Sequence, residues 1–182
     1  MQKTILSLTL AGMFCFCACS TTKENGTMKP LDVVPSVNIE KYMGTWYEIA
    51  RYHNKFQDDS CVATQAQYSL RPDGNVKVFN SCREGGIDGK EKSIEGKAWP
   101  VDKETNAKLK VQFFWPFSGD YWIIQLDKDY KYAVVGHPKR TFLWILSRTP
   151  SLDETTFNSI KQKLIEQGYD PAKMLITPQK KG

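Results

Sequence analysis

Cys61-Val62-Ala63-Thr64-Gln65-Ala66-Gln67-Tyr68-Ser69-Leu70-Arg71-Pro72-Asp73-Gly74-Asn75-Val76-Lys77-Val78-Phe79-Asn80-Ser81-Cys82 reads as two strands joined by a tight turn. Gln65, Gln67 and Ser69 alternate with Ala66, Tyr68 and Leu70, the period of two that gives a strand one wet face and one dry face. Arg71-Pro72-Asp73-Gly74 carries Pro in the second position and Gly in the fourth, as a type I turn prefers. A hairpin over 62–70 and 75–82 follows, in which facing residues have numbers totalling about 145. Cys61 and Cys82 total 143, so they fall nearly opposite, with one bulge or a slight offset to absorb. A disulfide between them is the expectation. The competing roles, thiol nucleophile or metal ligand, need partners, and the sequence offers only His53 and His137.

The same alternation recurs outward in both directions. It predicts strands over 45–53, 92–99, 107–114, 120–126, 131–137 and 142–148, which with the hairpin makes eight. Lys108, Lys110 and Gln112 against Leu109, Val111 and Phe113 show it cleanly. Gly85-Gly86, Asp102 to Asn106, Pro116 to Gly119, Asp127 to Asp129 and Pro138 to Arg140 punctuate the strands at mostly hairpin length. The period then changes. Ser151-Leu152-Asp153-Glu154 has the form of a capping box behind Pro150, and Phe157, Ile160 and Leu164 follow at helical spacing until Gly168. Eight evenly spaced strands and one helix of about four turns predict an all-β, antiparallel up-and-down barrel with the C-terminal helix packed outside, since closure hides both sheet edges. A two-sheet sandwich is the alternative.

Composition agrees with one globular domain: 182 residues, 41% hydrophobic, 25 Lys and Arg against 20 Asp and Glu. The net charge of +5 is spread among acidic residues with no basic run, which argues against a nucleic-acid partner. Nine Phe, eight Tyr and five Trp exceed what closing a core requires and point to a cavity lined by rings. No Gly-x-Ser-x-Gly elbow, His-Glu-x-x-His helix, phosphate loop or Gly-rich dinucleotide turn is present. Neither a metal nor a cofactor is expected. His137, before Pro138, is expected at a strand end on the surface.

Residues 1–18 read as a targeting segment: Lys3 precedes an apolar run from Ile5 to Ala18, too short to span a bilayer comfortably. Phe16-Cys17-Ala18-Cys19-Ser20 resembles a bacterial lipobox, which implies lipidation of Cys19 and anchoring in a bacterial cell envelope. Soluble secretion after ordinary cleavage is the alternative. Residues 19–31, rich in Thr, Lys, Asn and Gly, read as a flexible tether, with the folded domain over 32–182.

Two further stretches carry a family resemblance. Gly44-Thr45-Trp46-Tyr47-Glu48 opens the first strand in the Gly-x-Trp pattern of lipocalins, and Leu143-Trp144-Ile145-Leu146-Ser147-Arg148-Thr149-Pro150 is similar to the segment bearing their near-universal Arg. The resemblance covers residues 35 to about 177. Within the family, Cys61 to Leu70, Ile94-Glu95-Gly96, Tyr121-Trp122-Ile123 and Tyr132 to Val135 look most like apolipoprotein D and the bacterial outer-membrane lipocalins. The resemblance implies that Gly44, Trp46 and Arg148 are fold determinants, the guanidinium lying over the indole at the closed end. It implies a lumen lined by Tyr68, Leu70, Val76, Val78, Asn80, Val111, Phe113, Tyr121, Ile123, Val135 and Trp144, with Tyr68, Asn80 and Tyr121 to orient a polar head. Fatty acids and lysophospholipids are the implied ligands, and heme or a retinoid would suit the same wall. The aromatic loop 113–117 is expected to contact ligand or membrane, or to pack beneath a neighbour or in a homodimer. Two other readings stand beside the carrier: a lipocalin-fold enzyme using Glu48, Tyr68 or a histidine, and an envelope scaffold with a filled barrel.

Overall fold

The structure, a computed structural model, describes residues 29–180. The expected signal segment and Cys19 lie outside the described residues. Eight strands form the barrel: β1 (Gly44–Tyr52), β2 (Cys61–Leu70), β3 (Val76–Glu84), β4 (Lys90–Pro100), β5 (Lys108–Phe114), β6 (Phe117–Leu126), β7 (Tyr132–Gly136) and β8 (Leu143–Ser147). Each pairs antiparallel with the next, and β1 pairs with both β8 and β2, so the sheet closes on itself. Closure excludes the sandwich.

The hairpin that opened the sequence reading is present. Leu70 faces Val76 and Gln65 faces Ser81, with Gly74 donating its N–H to Arg71 O at 3.0 Å across the turn. A register shift between Val62 and Gln65 is the expected bulge, and Cys61 and Cys82 are joined by a disulfide across a Cα separation of 5.5 Å.

Helix α2 (Glu154–Glu166) lies outside the barrel and buries Ile160 and Leu164 against Ile49, Val134, Leu143 and Ile145. Each fully buried aliphatic there contributes about 1.5–3 kcal/mol. A separate core fills the lower barrel: Trp46, Ala66, Tyr68, Val76, Val78, Leu109, Ile123, Val135 and Leu146. The two cores share the barrel wall because alternate residues of one strand point to opposite sides.

Four local expectations are corrected. The N-cap of α2 is Asp153, whose carboxylate accepts from Thr156 N at 2.8 Å, rather than Ser151 in a capping box with Glu154. Strand β6 begins at Phe117, leaving Trp115-Pro116 as the whole connection where a loop to Gly119 was expected. A short helix α1 (Ile39–Tyr42) and a ninth strand β9 (Met174–Ile176) also appear. Ordered packing reaches into the expected tether, since Leu31 is buried in the outer core and Lys29 O accepts from Arg140 at 2.7 Å.

The two ends of the barrel differ. Val34 and Val37 donate backbone N–H groups to Ile123 O and Thr105 O, drawing the N-terminal segment and α1 across the end where β1 starts. The opposite end is ringed by the connections 53–60, 85–89, 115–116 and 137–142 and forms the mouth.

Candidate functional site

The floor is built around Trp46. Its indole is fully buried, its Nε1 donates to Tyr42 O at 2.8 Å, and the Arg148 guanidinium lies 3.7 Å from its ring centroid. Arg148 also donates to Thr45 O at 2.9 Å and Lys41 O at 2.8 Å, so one side chain ties β1, α1 and the end of β8 together. Gly44 has a φ of +95°, and a Cβ there would sit 3.3 Å from Arg148 Nη1. That position therefore favours glycine for its conformation, and a larger residue would also push the Arg148 guanidinium aside.

Three phenols stand above the indole. Tyr42 packs against Trp46 at 4.9 Å and Tyr68 at 5.8 Å between ring centroids. The Tyr121 hydroxyl meets those of Tyr42 at 2.9 Å and Tyr68 at 3.1 Å, spanning the lumen between α1, β2 and β6. Burial raises all three pKa values, Tyr68 to about 12 and the other two well above their ordinary value, so each keeps its proton.

Glu48 points inward two residues beyond Trp46, where its Oε1 accepts from Thr177 Oγ1 at 2.5 Å and Gln57 Nε2 at 3.1 Å. Arg51 approaches the same oxygen at 3.6 Å and reaches Asp59 at 2.8 Å. Burial raises the Glu48 pKa against the lowering effect of its two hydrogen bonds and of Arg51. These partners mark a seam. Upper β1 pairs with β9, and Ala63 N donates to Pro178 O at 2.7 Å, so the C-terminal tail fills the gap between upper β1 and upper β2.

Of the eleven wall residues read from the sequence, Tyr68, Val76, Val78, Val111, Phe113, Tyr121, Ile123, Val135 and Trp144 belong to the inner cluster. Asn80 shares their face at its register position, opposite Ala66 and Ile94. Leu70 is the correction: it ends β2 and is 48% exposed beyond the floor, where parity no longer implies enclosure. Gly96 lets the Phe113 ring approach β4 closely, since a Cβ would stand 2.7 Å from that ring. Tyr42 and the charged seam escaped sequence reading as wall elements, because α1 is one turn long and a buried ion pair leaves no periodic signal.

Val111, Phe113, Tyr121 and Trp144 face inward yet keep accessible surface, whereas Trp46, Ile123 and Val135 below them keep none. The lower barrel is closely packed, and the inward residues toward the mouth are only partly covered. Around the mouth, Phe56, Phe114, Trp115 and Phe117 are 68–86% exposed, and Phe142 links Phe56 to Trp144 by ring contacts. Phe113 packs inward, whereas Phe114, Trp115 and Phe117 of the loop 113–117 are covered by no neighbour among the described residues. Two other hollows, of about 280 and 350 Å³, lie outside the lumen beside Lys180 and Leu31. His137 is half-buried rather than on the open surface; its ring meets Phe142 edge-on, and burial lowers its pKa. Among the described residues no three His, Cys, Asp or Glu side chains converge as metal ligands would.

Residues 37–179 match the family described as "Lipocalin-like domain". The chain is 44% identical over 159 residues to the temperature-induced lipocalin-1 of Arabidopsis thaliana, covering 83% of this chain and 84% of that one. It is 38% identical over 167 residues to the outer membrane lipoprotein Blc of Escherichia coli strain K12, with 91% of each covered. It is 37% identical over 156 residues to apolipoprotein D of Bos taurus, covering 81% of this chain and 79% of that one.

Proposed function

From the premise that the chain belongs to the lipocalin family, we propose that it binds an apolar or amphiphilic lipid in the upper lumen and carries or stores it at the bacterial envelope. The observation that carries the reading is the division of the barrel: ring-bearing inward residues keep accessible surface above a sealed floor. Burying a fatty-acid chain at roughly 0.8 kcal/mol per methylene offers ten or so kcal/mol before binding costs, so micromolar affinity requires no special chemistry.

Fatty acids and lysophospholipids are the amphiphiles we assign to this largely apolar wall. The exposed rings of Phe114, Trp115 and Phe117 beside the mouth favour exchange with a membrane surface. Residues 1–18 act as a signal, Cys19 carries the acyl chains, and the following residues tether the barrel, in keeping with the lipoprotein among its relatives. The reading is a carrier rather than an enzyme, because Glu48, the buried carboxyl of the lumen, is engaged by Thr177, Gln57 and Arg51 in holding the seam.

The test uses residues 20–182, which hold every strand of the barrel. Lipid extracted from the purified protein is identified by mass spectrometry, and lysophospholipid and fatty acid are titrated against intrinsic tryptophan fluorescence. Saturable quenching that shrinks in Trp144→Phe is expected. Unchanged fluorescence, with radiolabelled lipid failing to co-elute, would overturn the reading.

A further inference from the structure

The polarity of the lumen runs opposite to what a carrier of charged amphiphiles needs if the headgroup is to enter. The mouth is aromatic, with Phe56, Phe142, Trp144 and Phe113 at or near its rim. The three tyrosines lie deeper, and Asn80 stands one inward step nearer the mouth than Val78.

The hydrogen-bond inventory is specific. Tyr42, Tyr68 and Tyr121 bring three O–H groups and make two mutual bonds, and each bond consumes one proton whichever oxygen donates. One phenolic proton is left over. Asn80 lies one inward step nearer the mouth than Val78, which pairs with Tyr68, and its buried Oδ1 has no partner. Ala66 opposite Asn80 is small and leaves room beside it. A buried amide oxygen without a partner is costly, and the cost disappears when a ligand donates to it. If the amide is turned over, its nitrogen requires an acceptor instead, and a group that both donates and accepts satisfies either orientation.

Charge narrows the class further. Glu48 faces the same region, and its neighbour Arg51 is engaged by Glu48 and Asp59. Arg148 is held beneath the indole by two backbone carbonyls. A carboxylate or phosphate lowered to the tyrosines would therefore lose its hydration and, among the described residues, find no cation free to pair with it directly, Arg148 acting only from beneath the indole.

We propose that the lumen selects lipids bearing an uncharged hydroxyl group, which enters first and is held between Asn80 and the Tyr42–Tyr121–Tyr68 trio while the apolar remainder reaches up to the aromatic mouth. Charged amphiphiles that bind do so with their heads left at the mouth. The inference rests on the lipid-carrier reading above and names the end of the lipid that goes in.

The experiment displaces the uncharged dye N-phenyl-1-naphthylamine from residues 20–182 with three ligands of matched chain: hexadecan-1-ol, its methyl ether, and palmitate at pH 8. The alcohol is expected to bind about tenfold more tightly than the ether, which can accept but not donate. Asn80→Leu and Asn80→Val should each erase most of that margin by weakening the alcohol and leaving the ether within twofold, because each removes the acceptor that only the alcohol can use. Thermal unfolding checks that both variants fold, and either alone suffices if the other does not. Equal affinities for alcohol and ether, or equal losses for both in the variants, overturn the inference while the carrier reading stands. If neither these ligands nor lysophospholipid displaces the dye or binds directly, the carrier reading itself falls.

Discussion

Glu48 shows how much one side chain can be asked to do when it faces the inside of a barrel. Its carboxyl is buried, and burial raises its pKa from the usual 4.5 despite donors from Thr177 and Gln57 and the nearby Arg51. A carboxyl that holds its proton more tightly in the folded state contributes stability that is complete below about pH 4.5 and is lost as pH rises through the folded-state value. Glu48→Gln retains an acceptor for Thr177 and Gln57 but cannot ionise. Its stability relative to the parent should therefore climb between pH 4.5 and neutrality, as read by urea unfolding across that range; a difference independent of pH would contradict the assignment. Gly44, Trp46 and Arg148 were legible in the sequence because the short motif demands those residues. Asn80 was legible as an inward polar residue, but its missing partner was not, because satisfaction depends on every neighbouring strand.

Elements were legible wherever their period was long enough to show. All eight barrel strands were read within a few residues of their observed bounds, and α2 ends just short of Gly168, where its stop signal lies. The failures sit at element ends. Ser151 and Asp153 are both good N-caps, and the choice between them depends on how the chain leaves β8, where Ser147 and Thr149 hydroxyls meet and Thr149 Oγ1 donates to Ser151 O. Asp153→Ala should lower the melting temperature and reduce helical circular dichroism, whereas Ser151→Ala should leave both unchanged. The reverse result would restore the capping box. Leu70 fails for a related reason: alternation predicts the side of a strand, but not whether another layer stands there. Strand β9, three residues long, carries too little pattern to register.

At the scale of the whole molecule, the barrel closes in two ways. Lower β1 pairs directly with β2, while upper β1 pairs with β9, and the tail beyond it reaches β2 through Pro178 O and through Gln179, whose amide donates to Glu48 O at 2.7 Å and Thr64 O at 2.9 Å. The closure thus joins residues about 130 apart in sequence at one carboxyl, Thr177 to Glu48. Thr177→Val keeps the shape of the side chain and removes the donor, at a cost of about 2 kcal/mol for a buried charge-assisted bond. Differential scanning calorimetry should show a fall of about 4–8 °C; no change would mean that the tail does not secure the seam. The sequence by itself determined the barrel, its outer helix, the Cys61–Cys82 bridge and the facing of nearly every wall residue, because hydrophobic period and turn chemistry are local and repeat along the chain. Only the tertiary structure decided which inward residues are sealed and which keep accessible surface, and how the tail seals the wall. It also decided which polar groups inside are left without partners. Those properties belong to side chains meeting across the barrel from strands far apart in sequence, and no local pattern records such meetings.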